Sequence, residues 1–473
     1  MIVARRLQRS FADGFIAEET HDLWEPWMRQ ADQALADDQM LEIIQQELSK
    51  RCQKSKTRGR PGTSAEVVLR MLLLKHVRGW SYEETTREVR ANLVYRQFTG
   101  VGGGKVPDDK TMGRLTRQLG PEAIEKLHRR TVAIAAEKKI VKGAKLRVDT
   151  TVVETNIHYP TDSTLMGDGV RVLTRIMKRV AEAAGKAGEK LRDRTRSVKQ
   201  RILEIALASR DKSERGQEKI KAAYGKLLDV TSRVVGQAKQ ISGALSGRGK
   251  KIMATVQRAK RQLDEMIPRV QQVMKQARER VLGGNTRASN KIVSVFEPQT
   301  EVIRKGKASK PTEFGKMVKI QEAENQIVTH VEAFDQRPSD SDLLISSVTK
   351  HQELLGRTPD LVAADAGFFS AANETAVRKL GVKRVAVPSR STKSAKRKQE
   401  QKKRWFKKAQ KWRTGCEGRI SVLKRRHGLN RSRYKGSQGF KRWVGLGVIA
   451  DNVINIGRFM AKPQAPAKSS VPS

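Results

Sequence analysis

Residues 361–369 read LVAADAGFF, an apolar run that ends at a single acid, Asp365, in front of a glycine turn. Such a run predicts a short buried strand, and an acid directly after a strand lies where a metal-dependent active site needs a ligand. The alternative interpretation is a turn residue that makes only local hydrogen bonds. The choice depends on whether other parts of the chain supply partner acids.

The composition is strongly basic. The 473 residues include 96 Lys and Arg against 50 Asp and Glu, which gives a net charge of +46. So many positive charges repel one another unless the protein binds a polyanion, and nucleic acid is the simplest such partner. A basic membrane-surface protein is the other candidate, but the sequence has no run of about 20 apolar residues and no leading signal segment. We therefore expect a soluble, cytoplasmic protein with no membrane partner.

The cysteine and histidine content points away from zinc. Cys52 and Cys416 are the two cysteines, too few for a disulfide framework or a four-cysteine site. Each is expected to be a small buried hydrophobic residue. The seven His residues show no ligand spacing, so zinc is not expected.

The amino-terminal part predicts helices only. Residues 1–57 are expected to form a helical arm, and residues 58–142 an all-helical, basic DNA-binding domain. Within it, Gly79 ends one predicted helix, and Ser81 caps the next together with Glu84 three residues on. Two short helices joined by a tight glycine turn are typical of a helix-turn-helix, and an ordinary helical hairpin is the alternative interpretation.

Residues 143–169 are expected to form the first strand block of an α/β domain. The segment KLRVDTTVVE at 145–154 is rich in β-branched residues and carries Asp149 near its middle. An ionised acid inside a buried strand is costly unless it is paired or binds a metal, which makes Asp149 a sharper candidate than Asp365. The alternative interpretation places Asp149 on a solvent-facing side of the strand.

The rest of the chain predicts a helical insertion followed by a mixed α/β segment. Residues 170–290 are expected to be helical or coiled-coil, because apolar residues recur at steps of three and four. Their charges suit the solvated faces of long helices, and an arm that grips DNA or pairs subunits is the alternative. Residues 291–460 predict strands, the first over 291–296, and then alternating helices and strands, as in a mixed sheet flanked by helices. Residues 461–473 are expected to be a disordered tail.

A predicted helix over residues 412–426 carries the third acid. Glu417 is one of the few acids in a segment dominated by Lys and Arg. Arg413 precedes it by four residues and Lys424 follows it by seven, so the three side chains share one helix face. A surface ladder of ion pairs is the alternative interpretation.

Asp149, Asp365 and Glu417 together are the kind of set that two-metal phosphodiester chemistry needs. In that chemistry carboxylates hold two divalent ions about 3.5–4 Å apart; one ion activates the nucleophile and the other stabilises the leaving oxygen. Hard Mg²⁺ or Mn²⁺ suits ligands that are all oxygen.

The sequence resembles the DDE transposases of bacterial insertion sequences, of the ISNCY type, over nearly the whole chain. The resemblance rests on GRPGTSAEVVLRMLLLK and SYEE near the start, LRVDTTVVETNIHYPTDSTLMGDGVRVL around Asp149, IRKGKASKPTEFG, DLVAADAGFFSAANE around Asp365, and WRTGCEGRISVLKRRHGLNR around Glu417. In this superfamily a Gly follows the second Asp closely, here Gly367. The Glu has an Arg four residues before it and a Lys seven after it, here Arg413 and Lys424.

The resemblance implies an RNase H-like catalytic domain, with an all-helical N-terminal domain and a long helical insertion beside it. Asp149, Asp365 and Glu417 would be the catalytic residues and the ligands of two Mg²⁺ or Mn²⁺ ions. DNA phosphates would be bound by Arg60, Arg413, Lys424, Arg425 and Arg426. The sequence departs from the pattern twice: Gln410 stands where related enzymes usually have Tyr, and the helical insertion follows the first Asp block instead of preceding the Glu helix.

The function implied is transposition. The protein would bind the ends of its own insertion sequence, cleave them by metal-dependent hydrolysis and join the freed 3′-OH to target DNA, as a homodimer on paired ends associated with the bacterial nucleoid. Two alternatives remain open. One is an RNase H-like nuclease that cuts without strand transfer, and the other is a basic, non-catalytic DNA-binding protein.

Overall fold

The architecture is that of a computed structural model of the chain. It describes residues 2–6, 11–20, 22–50, 62–184, 191–246, 254–285, 290–304 and 311–461. Cys52, Arg60 and all but the first residue of the expected tail 461–473 lie outside this part of the chain. The chain divides into unit 1, Met1–Thr155 with Gly315–Ser473, and unit 2, Asn156–Phe314. The expected insertion boundaries at 170 and 290 both lie inside unit 2.

The amino-terminal part of unit 1 is helical, as predicted. Ser81 accepts a hydrogen bond from the Glu84 backbone N–H while the Glu84 side chain accepts one from the Ser81 N–H, which confirms the predicted capping box. Gly79 ends the preceding helix at a φ of 68°, a left-handed conformation that favours glycine. The helices are α1 (Phe11–Thr20), α2 (Pro26–Leu35), α3 (Asp38–Ser49), α4 (Ala65–Arg78), α5 (Tyr82–Ala91), α6 (Leu93–Phe98), α7 (Asp109–Gln118) and α8 (Pro121–Glu137).

Unit 2 is mainly helical. Its helices are α9 (Asp162–Ala184), α10 (Thr195–Ala208), α11 (Glu214–Ser246) and α12 (Ala254–Ala277). Leu227, Leu263 and Val270 are fully buried in their common core. The strand predicted over residues 291–296 is wrong, because this segment is irregular and its Val295 is buried against the helical core instead of joining a strand ladder.

A mixed sheet of six strands forms among the described residues. The strands are β1 (Lys145–Glu154), β2 (Glu301–Arg304), β3 (Thr312–Glu322), β4 (Val328–Ala333), β5 (Leu361–Ala364) and β6 (Arg384–Ala386). Their order is β2-β3-β1-β5-β6, with β4 paired to β3. Strand β1 runs antiparallel to β3 and parallel to β5, and β5 runs parallel to β6. The prediction of a mixed sheet is thereby confirmed.

Helices cover both faces of the sheet. The helices after β4 are α13 (Leu343–Leu355), α14 (Ala371–Lys379), α15 (Ala395–Lys402), α16 (Arg404–Arg426) and α17 (Gly436–Met460). Strand side chains alternate between the faces. Val148 packs with the α13 side, whereas Val153 packs with Leu423 of α16 on the other side. The sheet therefore presents two buried faces.

Helix α17 joins the sheet to the amino-terminal helices. Val444 and Val448 belong to the core on the α16 side of the sheet. Ile449 and Val453 belong to the core of α2, α3 and α4. Because one helix contributes to both cores, residues 1–155 and 315–473 form one compact unit. None of the described helices is both long and apolar enough to cross a membrane.

Candidate active site

The pairing of β1 with β5 brings the two aspartates together. The register of this parallel pair ends at Val148 opposite Ala364, so the next residues along the two strands are Asp149 and Asp365. Neighbouring strands lie about 4.8 Å apart. Asp365 starts a 3-10 turn and accepts a hydrogen bond from the Ala366 N–H at 2.6 Å. Asp149 and Asp365, which are 216 positions apart in the sequence, thus become neighbours where the pairing of β1 with β5 ends.

Helix α16 brings Glu417 to the same place through an arginine. Arg413 Nη1 lies 3.5 Å from Asp149 Oδ2, and its Nη2 donates to Glu417 Oε1 at 2.8 Å. The Arg413 side chain is only 12% exposed, whereas that of Glu417 is 60% exposed. Because Arg413 and Glu417 lie four residues apart, their side chains share one face of α16. Arg413 then connects this helix face to Asp149 of β1.

The charge of Asp149 is disfavoured by its surroundings. Burial raises the pKa of this carboxyl to about 6, against a hydrogen bond from the Thr150 N–H and the charge of Arg413, which both lower it. The negative charges of Asp365 and Glu417 raise the pKa of Asp149 further. Asp365 and Glu417 therefore both lie close enough to Asp149 to act on it electrostatically.

The carboxylates could hold a hard divalent cation. Among the described residues, no group of three or more His, Cys, Asp or Glu side chains is already arranged as a metal site. Instead, Arg413 supplies positive charge to Asp149 and Glu417. The donor set nevertheless fits Mg²⁺ or Mn²⁺, because its ligands are carboxylate oxygens and a cation would relieve the penalty on the charged form of Asp149.

A buried ion pair beneath α16 was not predicted from the sequence. Arg147 lies on the same side of β1 as Asp149 and donates to both carboxylate oxygens of Glu322, including Nε to Oε2 at 3.0 Å. Its guanidinium group also lies 4.8 Å from the ring centroid of Trp412 and donates to the Trp412 carbonyl. A Cβ at Gly415 would lie 2.4 Å from Arg147 Nη1, so any larger residue there would displace the guanidinium group.

Gln410, the departure from the expected tyrosine, binds the strand ends. Its Nε2 donates to the Ala364 carbonyl at 3.3 Å and to the Ala386 carbonyl. These carbonyls belong to the last residues of β5 and β6. Gln410 thus attaches α16 directly to the residue before Asp365.

Asp340 is a fourth acid beside the aspartate pair. Thr150, which follows Asp149, donates its Oγ1 proton to Asp340 Oδ1 at 3.0 Å. A Cβ at Gly367 would lie 3.2 Å from Asp340 Oδ2, so Gly367 leaves room for this acid. The available sequence signal was an Asp within RPSDSDLL, which resembles an ordinary helix start.

The predicted phosphate-binding residues are not all at one place. Arg413 lies among the carboxylates, but Lys424 follows Glu417 by seven residues, about 10 Å along the helix. Arg425 and Arg426 are exposed at the end of the same helix. Arg60 lies outside the described residues.

Comparison with known families decides the class of the protein. Residues 26–118 match the family described as "Transposase domain (DUF772)", and residues 373–457, which include Glu417, match the family described as "Transposase DDE domain". The two matches support an insertion-sequence DDE transposase. The assignment to the ISNCY type within these transposases stays a prediction.

The chain also resembles a protein of Rhizobium meliloti named "Uncharacterized protein ORF8 in nfe locus". The two are 30% identical over 127 residues, which is 26% of this chain and 61% of that protein. No solved structure matches the chain. The helical amino-terminal part and the mixed sheet with flanking helices suit a DDE domain, and the RNase H-like fold stays a prediction.

Proposed function

We propose that this chain is an active, metal-dependent transposase. It binds the ends of its own element as a homodimer, cleaves a strand there and joins the new 3′ end to target DNA, with an RNase H-like domain as its catalytic centre. The observation that carries the proposal is the adjacency of Asp149 and Asp365 on paired strands, with Arg413 connecting Asp149 to Glu417.

The carboxylates of Asp149, Asp365 and Glu417 would hold two Mg²⁺ or Mn²⁺ ions. When bound, the ions supply Lewis-acid stabilisation of the charge that develops on the phosphate and the leaving oxygen. Burial of Asp149 excludes water from one side of this site, and Asp365 and Glu417 leave the other side open to DNA. Burial raises the pKa of Asp149 to about 6, so this carboxyl is mostly ionised, and able to act as a ligand, at pH 7 and above.

Arg413 would exchange one carboxylate partner for a phosphate oxygen when DNA is bound. Its Nη2 contacts Glu417, whose side chain is 60% exposed, so this is the contact that a DNA phosphate could reach. Guanidinium groups bind phosphate oxygens in pairs. Lys424, further along α16, would bind a second phosphate of the same strand.

The proposed chemistry has two phosphoryl-transfer steps. In the first, a water oxygen bonds to phosphorus, the bond to the 3′ oxygen breaks, and the products are a 3′-OH and a 5′-phosphate. In the second, that 3′-OH bonds to a target phosphorus and displaces a target 3′ oxygen, which takes up a proton. One phosphodiester bond forms and one breaks in the second step, so no external energy source is needed.

Cleavage of labelled element-end DNA tests the assignment. Asp149→Asn, Asp365→Asn and Glu417→Gln should each lower the cleavage rate in Mg²⁺ by on the order of 10²-fold or more and leave DNA binding intact. Asp360→Asn is the matched control, because Asp360 lies just before β5 and pairs with Arg357 and Lys383. It should cut like wild type. Normal cutting by Asp149→Asn would contradict the proposal.

Strand transfer separates a transposase from a nuclease. Wild-type protein given pre-cut ends with a free 3′-OH should join them to plasmid DNA, and Asp149→Asn should not. Cutting without joining would leave the nuclease as the function, and binding without either reaction would leave a non-catalytic DNA-binding protein.

A further inference from the structure

A second basic feature of unit 1 lies away from the carboxylates. A cavity of about 720 Å³ lies where α4, α16 and α17 end near one another, and part of its lining comes from the turn after α16. We call it the basic cleft and define it by five of its arginines, Arg78, Arg425, Arg426, Arg433 and Arg458. All but Arg78 are exposed.

The acids of the basic cleft do not neutralise it. Glu25 is paired with Arg78. Asp451 is buried and already accepts two hydrogen bonds from Arg419, at 2.8 and 3.0 Å. Arg425, Arg426, Arg433 and Arg458 have no carboxylate partner among the described residues. They therefore carry an uncompensated charge of about +4.

A cavity elsewhere in unit 1 shows that this is not a general result of the basic composition. That cavity, of about 600 Å³, is lined by α8, β4 and α13 and also contains several cations. There Arg129 pairs with Glu125, Lys319 with Glu332 and Lys350 with Glu353, at 2.8 to 3.0 Å. In that cavity Arg129, Lys319 and Lys350 thus have their own acids, whereas the exposed arginines of the basic cleft do not.

The negative partial charges of the nearby helix carboxyl ends offset only part of the positive charge of the basic cleft. The carboxyl ends of α4, α16 and α17 lie at the basic cleft, and Arg425, Arg426 and Arg458 are in the last turns of their helices. Each helix end carries about half a negative charge, so three ends offset about 1.5 of the four positive charges. Arg433 lies between helices; its Nη1 donates to the Gly79 carbonyl at 3.0 Å.

We propose that the basic cleft binds the sugar-phosphate backbone of DNA that extends from the carboxylate site along α16. Each guanidinium group has five N–H donors, and the contact of Arg433 with Gly79 uses one of them. Glu417 and Arg425 are eight residues apart, about 12 Å along the helix. Phosphates of one DNA strand advance by about 3.4 Å each, so the basic cleft meets the strand about three to four nucleotides from the cutting site. The direction of this path rests on the proposed function, whereas phosphate binding by the cleft does not.

The salt dependence of DNA binding tests the basic cleft directly. The probe is a fluorescein-labelled duplex of random sequence, since backbone contacts need no particular bases, and the protein is the full chain. Arg433→Gln/Arg458→Gln should lower the slope of log affinity against log salt by about 1.8, because each lost phosphate contact removes about 0.9. Arg433→Lys/Arg458→Lys keeps both charges and should retain most of the wild-type slope.

Arg129→Gln/Lys350→Gln is the matched control. It removes the same charge from the acid-paired cavity and should leave the slope unchanged. A cleft variant with the wild-type slope, or a control that lowers the slope equally, would overturn the inference. Far-ultraviolet circular dichroism verifies that each variant is folded. If the glutamine double variant is not folded, Arg458→Gln alone decides the matter, because it should lower the slope by about 0.9.

Cleavage kinetics separate this inference from the proposed function. The glutamine cleft variant should raise the DNA concentration needed for half-maximal cutting by at least about tenfold, at an unchanged rate with saturating DNA. Asp149→Asn should keep the wild-type salt slope. If wild type cuts DNA and the glutamine cleft variant binds and cuts DNA as wild type does, only the inference about the basic cleft is contradicted. If the cleft variant loses slope but wild type never cuts, only the proposed function is wrong.

Discussion

Replacing Arg147 with methionine should destabilise unit 1 and displace α16. The side chains of Arg147 and Glu322 are 7% and 0% exposed, so the substitution leaves a carboxylate buried without its partner. Burial already raises the pKa of Glu322, and the guanidinium group of Arg147 opposes that rise. Without Arg147 the folded protein must either bury a negative charge or bind a proton at Glu322.

The expected loss is about 3–5 kcal/mol of unfolding free energy, the usual cost of removing one partner of a buried pair. Loss of the contact with the Trp412 ring adds about 1 kcal/mol. Cleavage should fall on the order of 10²-fold, since a shift of about 1 Å in α16 would misplace Glu417. The double variant Arg147→Met/Glu322→Leu should recover most of the stability, because it leaves no buried charge. It should not recover cleavage, because the hydrogen bond to the Trp412 carbonyl is still absent.

Urea denaturation of the two single variants and the double variant gives the coupling energy of the pair. The control is the same cycle on Arg129 and Glu125, which are 48% and 52% exposed and lie 2.8 Å apart. Exposed pairs contribute about 1 kcal/mol or less. The reasoning is refuted if Arg147→Met unfolds at the wild-type urea concentration, or if the buried pair couples no more strongly than the exposed one.

Three further predictions follow from contacts near the site and in the core. Gln410→Leu should cost about 1–3 kcal/mol in urea denaturation, because two strand-end carbonyls lose their donor, and Gln410→Glu should not restore it. Asp340→Ala should slow cleavage about tenfold at unchanged DNA affinity, whereas Asp340→Asn, which can still accept from Thr150, should cut nearly normally. His128 is fully buried, and burial lowers its pKa to about 4, so the unfolded chain takes up a proton below pH 6.5 before the folded chain does. The free energy of unfolding should therefore fall by about 3 kcal/mol between pH 7 and pH 4, and His128→Gln should remove this part of the fall.

The predictable features were those encoded by residues close in the sequence. Ser81 and Glu84 form their capping box within one helical turn, and Arg413 and Glu417 meet because four residues are about one turn. The strand 145–154 followed from its β-branched residues. The positions of Asp149, Asp365 and Glu417 relative to one another needed the family blocks, because periodicity alone does not fix which strands pair.

The features that escaped prediction depend on contacts between distant segments. Arg147 and Glu322 lie 175 positions apart, and neither stands out in its own segment. Val295 sits in an apolar run that resembles a strand, and only the presence of a helical core decides that it packs against helices. Gln410 appeared as a departure from the family pattern, but its role became visible only when the ends of β5 and β6 were located.

Helix α16 has two parts with different tasks. Three of its polar contacts with the sheet lie before Glu417: Gln410 binds the ends of β5 and β6, Trp412 covers Arg147, and Arg413 reaches Asp149. Beyond Glu417, Leu423 packs against Val153 in the core. Beyond Glu417 the helix leads to the exposed arginines of the basic cleft. Since a helix transmits a rotation or shift along its whole length, a change at residues 410–413 moves both the Glu417 carboxylate and the proposed phosphate contacts. Arg147→Met should therefore weaken DNA binding as well as cutting. Asp149→Asn leaves the contacts of Gln410 and Trp412 intact and keeps a side-chain oxygen facing Arg413, so it should affect cutting alone.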